Sequence, residues 1–162
     1  MPDLSIQAAD GSGSFSAYCA MPKSGSGPGI VVLQEIFGVN QVMRDLCDGY
    51  CLGGSLAYAT ACFTDADACS GYYPVQIEDS LEMAATIKNT LTLHVAELDG
   101  FCPPEAQEEV ATALGGNAHV TVHSYPGVDH AFARIGGNNF DINAAPEANN
   151  RTADLFRKKL GS

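Results

Sequence analysis

The sequence predicts an α/β protein, an open, mostly parallel sheet with helices on both faces, and three observations carry that reading. The aliphatic run Ile30 to Leu33 lacks polar alternation, the pattern of a strand covered on both sides. Segments of strand character then alternate with helix-compatible ones to the C-terminus. The 162 residues are enough for one sizeable core, so 1–162 is read as a single domain.

The elements follow in order. "LSIQA" and "SFSAYCAMP" read as strands on either side of the turn "GSG", and "KSGSGPG" as a flexible connection to "GIVVLQEIFG". "GSGSFS" lacks the third glycine of a dinucleotide-binding turn. From Asn40, which can cap, "NQVMRDLCD" has the apolar side of a helix in Val42, Met43 and Leu46. "SLAYATACF" is helix-compatible, and "ACSGYYP" has strand character. "LTLHVAE" alternates Leu91, Leu93 and Val95 against Thr92 and His94. "PPEAQEEVATAL" is a helix with prolines and acids at its start, ended by Gly115-Gly116. "AHVTVHSYPG" is a strand, and "APEANNRTADLFRKKL" a last helix with Ala148, Thr152, Leu155, Phe156 and Leu160 roughly on one side.

Composition narrows the partners. A formal charge of -11, from 19 acidic against 8 basic side chains, disfavours nucleic acid and anionic membranes. The start "MPDLSIQAADGSGS" has neither a basic nor an apolar leader region, and no apolar run approaches a bilayer span, so a cytoplasmic protein is expected. The six cysteines are then read as reduced thiols. None forms a Cys-x-x-Cys pair, and no metal-binding histidine motif accompanies them, so no zinc or other metal site is expected.

The chemistry starts at "CDGYCLGGS", where Gly49 and Gly53 flank Cys51 at a Gly-x-Cys-x-Gly spacing. Such a turn presents a nucleophile at a strained corner, where a Cβ at either glycine would collide, and backbone N–H groups of the following helix face a developing oxyanion. A core cysteine in a glycine-rich turn fits the five residues as well. The residues downstream favour the nucleophile. A triad of the α/β-hydrolase kind runs nucleophile, acid, histidine along the chain, with the acid after a later strand and the histidine in a loop after the last one. Asp99 follows "LTLHVAE", and His130 follows "HVTVHSYPG" in "GVDHAFAR". Asp99 before Gly100 also suits a simple turn, and Glu97 and Asp129 are rival acids. His94, His119 and His123 alternate along strands and read as structural.

Together, "LQEIFGVN", "GYCLGG", "GYYPV", the aspartate of "LDGF" and "DHAFAR" resemble, in this order, the dienelactone hydrolase family of α/β-hydrolases. That resemblance implies Cys51 as nucleophile, His130 as general base and Asp99 as the residue that orients the imidazole. It implies an oxyanion hole from the backbone N–H groups of Ile36 and Leu52. Glu35 would take the thiol proton in the resting state, Arg134 would bind a substrate carboxylate, and Tyr73 would line the substrate site. The implied activity is cofactor-free hydrolysis of a small carboxylated lactone or ester through an acyl-enzyme.

One departure stands out. In the family a hydrophobic strand precedes the nucleophile turn, and helices and a further strand separate it from the helix after "FGVN". Here "NQVMRDLCD" abuts "GYCLGG", which implies an internal deletion between about 48 and 49, leaving a truncated α/β-hydrolase-like sheet. The chain would then be a monomer, or a dimer covering the exposed sheet edge. The other functional reading is an inactive remnant that binds a small molecule or a partner. A redox or metal module built on the cysteines lacks the paired spacing.

Overall fold

The computed structural model describes residues 3–7, 11–18 and 52–160. The chain divides into two compact units, Met1–Val31 and Val32–Ser162. The expected strand at Ile30 to Leu33 and the helix-like segment from Asn40 lie outside the described residues.

In the first unit, β1 (Asp3–Gln7) pairs antiparallel with β2 (Ser14–Tyr18), Asp3 opposite Tyr18 and Gln7 opposite Ser14. Gly11 and Gly13 in the connection have φ of 75° and 155°, where a side chain would be strained.

The second unit is the predicted α/β arrangement. Helix α1 (Leu52–Phe63) leads to β3 (Ala68–Tyr72). A 3₁₀ segment, Glu78–Thr86, leads to β4 (Thr90–Ala96). Helix α2 (Pro104–Leu114) leads to β5 (Val120–Tyr125), and α3 (Ala144–Leu160) follows. The described strands form a parallel sheet in the order β3-β4-β5, with Leu91 beside Cys69 and Val120.

Helix α1 begins three residues before the expected "SLAYATACF" and takes in both glycines of "LGG". The reason is close packing. A Cβ on Gly54 would lie 2.2 Å from the Tyr72 carbonyl oxygen, and one on Gly71 would lie 2.8 Å from the Gly54 carbonyl oxygen. Two glycines therefore let the helix rest directly on β3. In α2, Pro103 is the N-cap and Pro104 opens the helix, where proline's missing N–H is harmless. Its Ala106, Val110 and Leu114 recur every four residues and are buried. Asp141 caps α3, its carboxylate accepting the N–H groups of Asn143 and Ala144, which hold its pKa below the usual carboxylate value.

The two faces of the sheet differ in chemistry. On one, Cys69, Leu91 and Leu93 join Tyr58, Ala61 and Cys62 of α1, Val110 and Leu114 of α2, and Ile77, Ala84 and Ile87 around the 3₁₀ segment. That face is apolar. On the other, α3 lies against polar side chains: Thr152 contacts Ser70 at 2.8 Å, Tyr72 at 2.8 Å and His94 Nε2 at 3.0 Å. The alternation in "LTLHVAE" is therefore real, but both sets of side chains are buried, Thr92 to 6% exposure and His94 to 0%. A central strand covered on both sides has no solvent face.

Candidate active site

The C-terminal ends of β4 and β5 carry the loops that hold the expected acid and base. The ladder between these strands extends beyond them, because Glu97 N–H donates to the Tyr125 carbonyl at 3.0 Å and Leu98 N–H to the Val128 carbonyl at 2.9 Å. This zips the two loops together two residues short of His130. Asp99 then turns inward, closed by Cys102 N–H donating to its carbonyl at 3.2 Å.

Asp99 and His130 meet there, with Asp99 Oδ2 2.7 Å from His130 Nδ1. Their side chains are only 1% and 6% exposed. The second carboxylate oxygen accepts Phe101 N–H at 2.9 Å, so both oxygens of this buried group are satisfied. An ionised carboxylate can only accept, so the proton of this contact belongs to Nδ1, and Nε2 is the nitrogen that carries a base's lone pair. Asp99 thus selects the tautomer and orients the ring.

The rival acids do other work. Glu97 is exposed and accepts Gly127 N–H at 2.7 Å, supporting a turn in which Gly127 has φ of 72°. Asp129 accepts the backbone N–H of its own neighbour His130 at 2.6 Å. His94 is buried in the polar network under α3, and His123 stacks on it at 5.7 Å between ring centroids, which agrees with structural roles for both.

Of the remaining expected site residues, Glu35, Ile36 and Cys51 lie outside the described residues. Leu52 opens α1, so its N–H belongs to the first turn, whose donors lack intrahelical acceptors. Arg134 is half-buried and closes the turn after His130, its N–H donating to the Ala131 carbonyl at 2.9 Å. Tyr73 is buried beside His130, with ring centroids 5.2 Å apart, and its hydroxyl accepts Ala133 N–H at 2.9 Å. Phe101 also packs on the imidazole in an edge-to-face arrangement, with ring centroids 5.0 Å apart.

Two supports of the pair have no signature in the sequence. The Gln107 amide on α2 reaches the carbonyls of Ala96 at 3.2 Å, Glu97 at 3.2 Å and Cys102 at 2.7 Å, bracing the Asp99 loop. Asn139 donates to the His130 carbonyl at 2.9 Å. A glutamine in an amphipathic helix carries no signal of such a task. Among the described residues, no group of three or more His, Cys, Asp or Glu side chains is arranged to hold a metal. No described helix is long and apolar enough to cross a membrane.

A buried carboxylate-imidazole pair on loops after adjacent parallel strands is an arrangement that hydrolase triads use, and comparison with known proteins gives the family. The sequence profile of the dienelactone hydrolase family matches residues 47–160. A provisionally named carboxymethylenebutenolidase of Azospirillum brasilense is 38% identical over an alignment of 232 residues, covering 99% of this chain and 100% of that protein. The carboxymethylenebutenolidase of Pseudomonas sp. (strain P51) is 28% identical, covering 96% of this chain and 94% of that one. A crystal structure of a provisionally named dienelactone hydrolase from Klebsiella pneumoniae superposes with a TM-score of 0.61 at 19% identity, over 67% of this chain and 50% of that one, a likeness of fold. With the family's profile spanning residues 47–160, and the buried Asp99–His130 pair inside that span, the chain belongs to the dienelactone hydrolase family of hydrolases.

Proposed function

We propose that this chain is a cysteine hydrolase of small carboxylated lactones or esters that works through an acyl-enzyme. The observation that carries the reading is the Asp99–His130 contact of 2.7 Å, buried at the C-terminal end of a parallel sheet. A second support is the position of Leu52 at the head of α1, directly after Cys51, where a helix N-terminus favours both a thiolate and an oxyanion.

The chemistry follows from those roles. The Cys51 thiolate, its proton held on Glu35 or His130, attacks the carbonyl carbon and forms a C–S bond. The oxyanion is stabilised by the N–H groups of Leu52 and Ile36. Collapse breaks the ester C–O bond, and the departing oxygen takes up the proton. His130 Nε2 then removes a proton from water as the water oxygen attacks the acyl carbon. The C–S bond breaks, and the thiolate leaves. Arg134, four residues after His130, is assigned to the substrate's carboxylate.

The test is turnover of a dienelactone and of p-nitrophenyl acetate by the purified chain. Hydrolysis that disappears in Cys51→Ala is expected. Equal rates for the two proteins would sink the proposal.

A second reading rests on the alignment with the Azospirillum protein, which runs over 232 residues against this 162-residue chain, so positions of that relative have no counterpart here. It supports an internal deletion, for which we propose the junction near 48 and 49, and with it an inactive, binding remnant. Selective alkylation of Cys51 near neutral pH would count against a remnant.

A further inference from the structure

We infer that Tyr73 is a positioning residue for His130, acting through the turn that follows the histidine as well as through the ring itself. The inference rests on the hydrolase reading for His130's role as base, and it goes beyond the lining role that family resemblance gives Tyr73.

Tyr73 stands immediately after β3, at the end of the strand farthest in the described sheet from the His130 loop. Its backbone N–H is tied to the His94 carbonyl at 2.8 Å, which anchors it to the central strand. From there its side chain makes two kinds of contact. The ring packs on the imidazole of His130 at 5.2 Å and edge-on to Phe132 at 5.2 Å. The hydroxyl oxygen accepts the N–H of Ala133, three residues after His130, at 2.9 Å.

The turn so gripped is a strained one. Ala131 has φ of 63°, in the left-handed region, and its carbonyl accepts Arg134 N–H at 2.9 Å to close the turn. Tyr73 itself has φ of 46°. A tyrosine or an alanine keeps such a backbone only where its surroundings hold it there. Here each helps to hold the other: the tyrosine occupies the turn's donor, and the turn fills the tyrosine's acceptor. Phe132, buried to 0% exposure between Tyr73 and Tyr125, completes the wedge.

Asp99 fixes one edge of the imidazole, and that hydrogen bond by itself does not stop the ring rocking about the Nδ1···Oδ2 axis. The rings of Tyr73, at 5.2 Å, and Phe101, at 5.0 Å, pack against the imidazole and limit that freedom. Positioning of this kind affects the rate of the chemical step more than substrate binding.

The test compares wild type, Tyr73→Phe and Tyr73→Leu. Tyr73→Phe keeps the ring and removes the acceptor; Tyr73→Leu removes both. Steady-state hydrolysis of p-nitrophenyl acetate should show kcat falling about threefold to tenfold in Tyr73→Phe and about tenfold to a hundredfold in Tyr73→Leu, with KM within twofold of wild type. The Nδ1–H proton resonance of His130, identified in the NMR spectrum by its loss in Asp99→Asn, should shift or broaden in both variants. A raised KM with kcat retained and an unchanged resonance would make Tyr73 a substrate contact and overturn the inference. If Tyr73→Leu does not fold, Tyr73→Phe decides by the same two readouts. If wild type fails to hydrolyse the ester, the hydrolase reading fails, and the resonance alone still decides whether Tyr73 holds His130.

Discussion

Asp99 Oδ2 accepts the Nδ1–H of His130 at 2.7 Å, although the two residues lie on different loops and 31 positions apart. What joins them is the parallel pairing of β4 with β5, continued past the strand ends by Leu98 N–H to the Val128 carbonyl. The contact is thus a consequence of sheet register. A one-residue slip would turn Asp99 away.

Replacing Asp99 by Asn tests what that contact does. The amide is close in size, so the fold should survive, but it can present an N–H to Nδ1. The imidazole would then hold its proton on Nε2 and lose its lone pair on the side of the chemistry. We expect kcat/KM for ester hydrolysis to fall on the order of 10³-fold with little change in far-ultraviolet circular dichroism. Retention of activity within a factor of a few would remove Asp99 from the mechanism.

The cysteines offer an independent test. Cys62, Cys69 and Cys102 are buried, and burial raises all three thiols. Cys102 is pushed up to about 11 by burial, helped by Glu78 and Asp99. At pH 7.5 only roughly three parts in ten thousand of such a thiol would be thiolate, the form that alkylates. Iodoacetamide followed by peptide mapping should therefore find Cys51 modified well before these three, and the three modified only in denaturant. Equal labelling of Cys51 and Cys102 in the folded protein would contradict an activated Cys51.

Much of this is legible in the sequence because it is local. Strand character followed by Asp99, and strand character followed by His130, already place both residues at the same end of a parallel sheet. The cap of α2 is written in Pro103-Pro104. What escapes is whatever depends on contacts between elements. Nothing in "PPEAQEEVATAL" marks Gln107 as the brace of the Asp99 loop, since its task comes from where α2 lies. Nothing in "GYYPV" separates Tyr72, which ends β3 and turns to α3, from Tyr73, which lies just beyond the strand and turns to His130. The 3₁₀ segment Glu78–Thr86 also escapes, because a short, weakly apolar stretch carries no helical period long enough to detect.

Gly54 tests the packing of α1 on β3. An added Cβ would lie 2.2 Å from the Tyr72 carbonyl oxygen, 2.8 Å from Pro74 N and 2.9 Å from Pro74 Cα. All three are backbone atoms, so no side chain can yield. Gly54→Ala should destabilise the protein by roughly 2–4 kcal/mol in urea unfolding, despite alanine's better helix propensity. An unchanged midpoint would mean that the helix does not approach the strand this closely.

The polar face under α3 makes stability depend on acid. The donors there close into one chain only if His94 is neutral. Arg151 donates to Tyr125 Oη at 3.0 Å, and that hydroxyl donates to His94 Nδ1 at 2.8 Å. His94 Nε2–H then donates to Thr152, which passes its own proton to Tyr72, and Tyr72 donates to Asn149. A second proton on His94 would leave the Tyr125 hydroxyl hydrogen without its acceptor. The surrounding charges point the same way: burial, His123 and Arg151 together push His94 down to about 3 from 6.5, while Glu147, which neighbours His123, is paired with Arg151 at 2.5 Å. Because the folded pKa lies below the unfolded one, the unfolded chain binds the proton first. The neutral network's contribution is therefore fully present above pH 6.5 and is lost as the pH falls toward 3. At roughly 1.4 kcal/mol per pH unit, His94 accounts for a loss of about 2 kcal/mol between pH 6.5 and pH 5. Urea unfolding across this range should show that loss in wild type and a flatter profile in His94→Gln, with a residual slope from His123, whose pKa is also lowered, chiefly by burial. Parallel profiles for the two proteins would mean that His94 takes up its second proton as readily in the fold as in the unfolded chain, and that the network does not require the neutral imidazole.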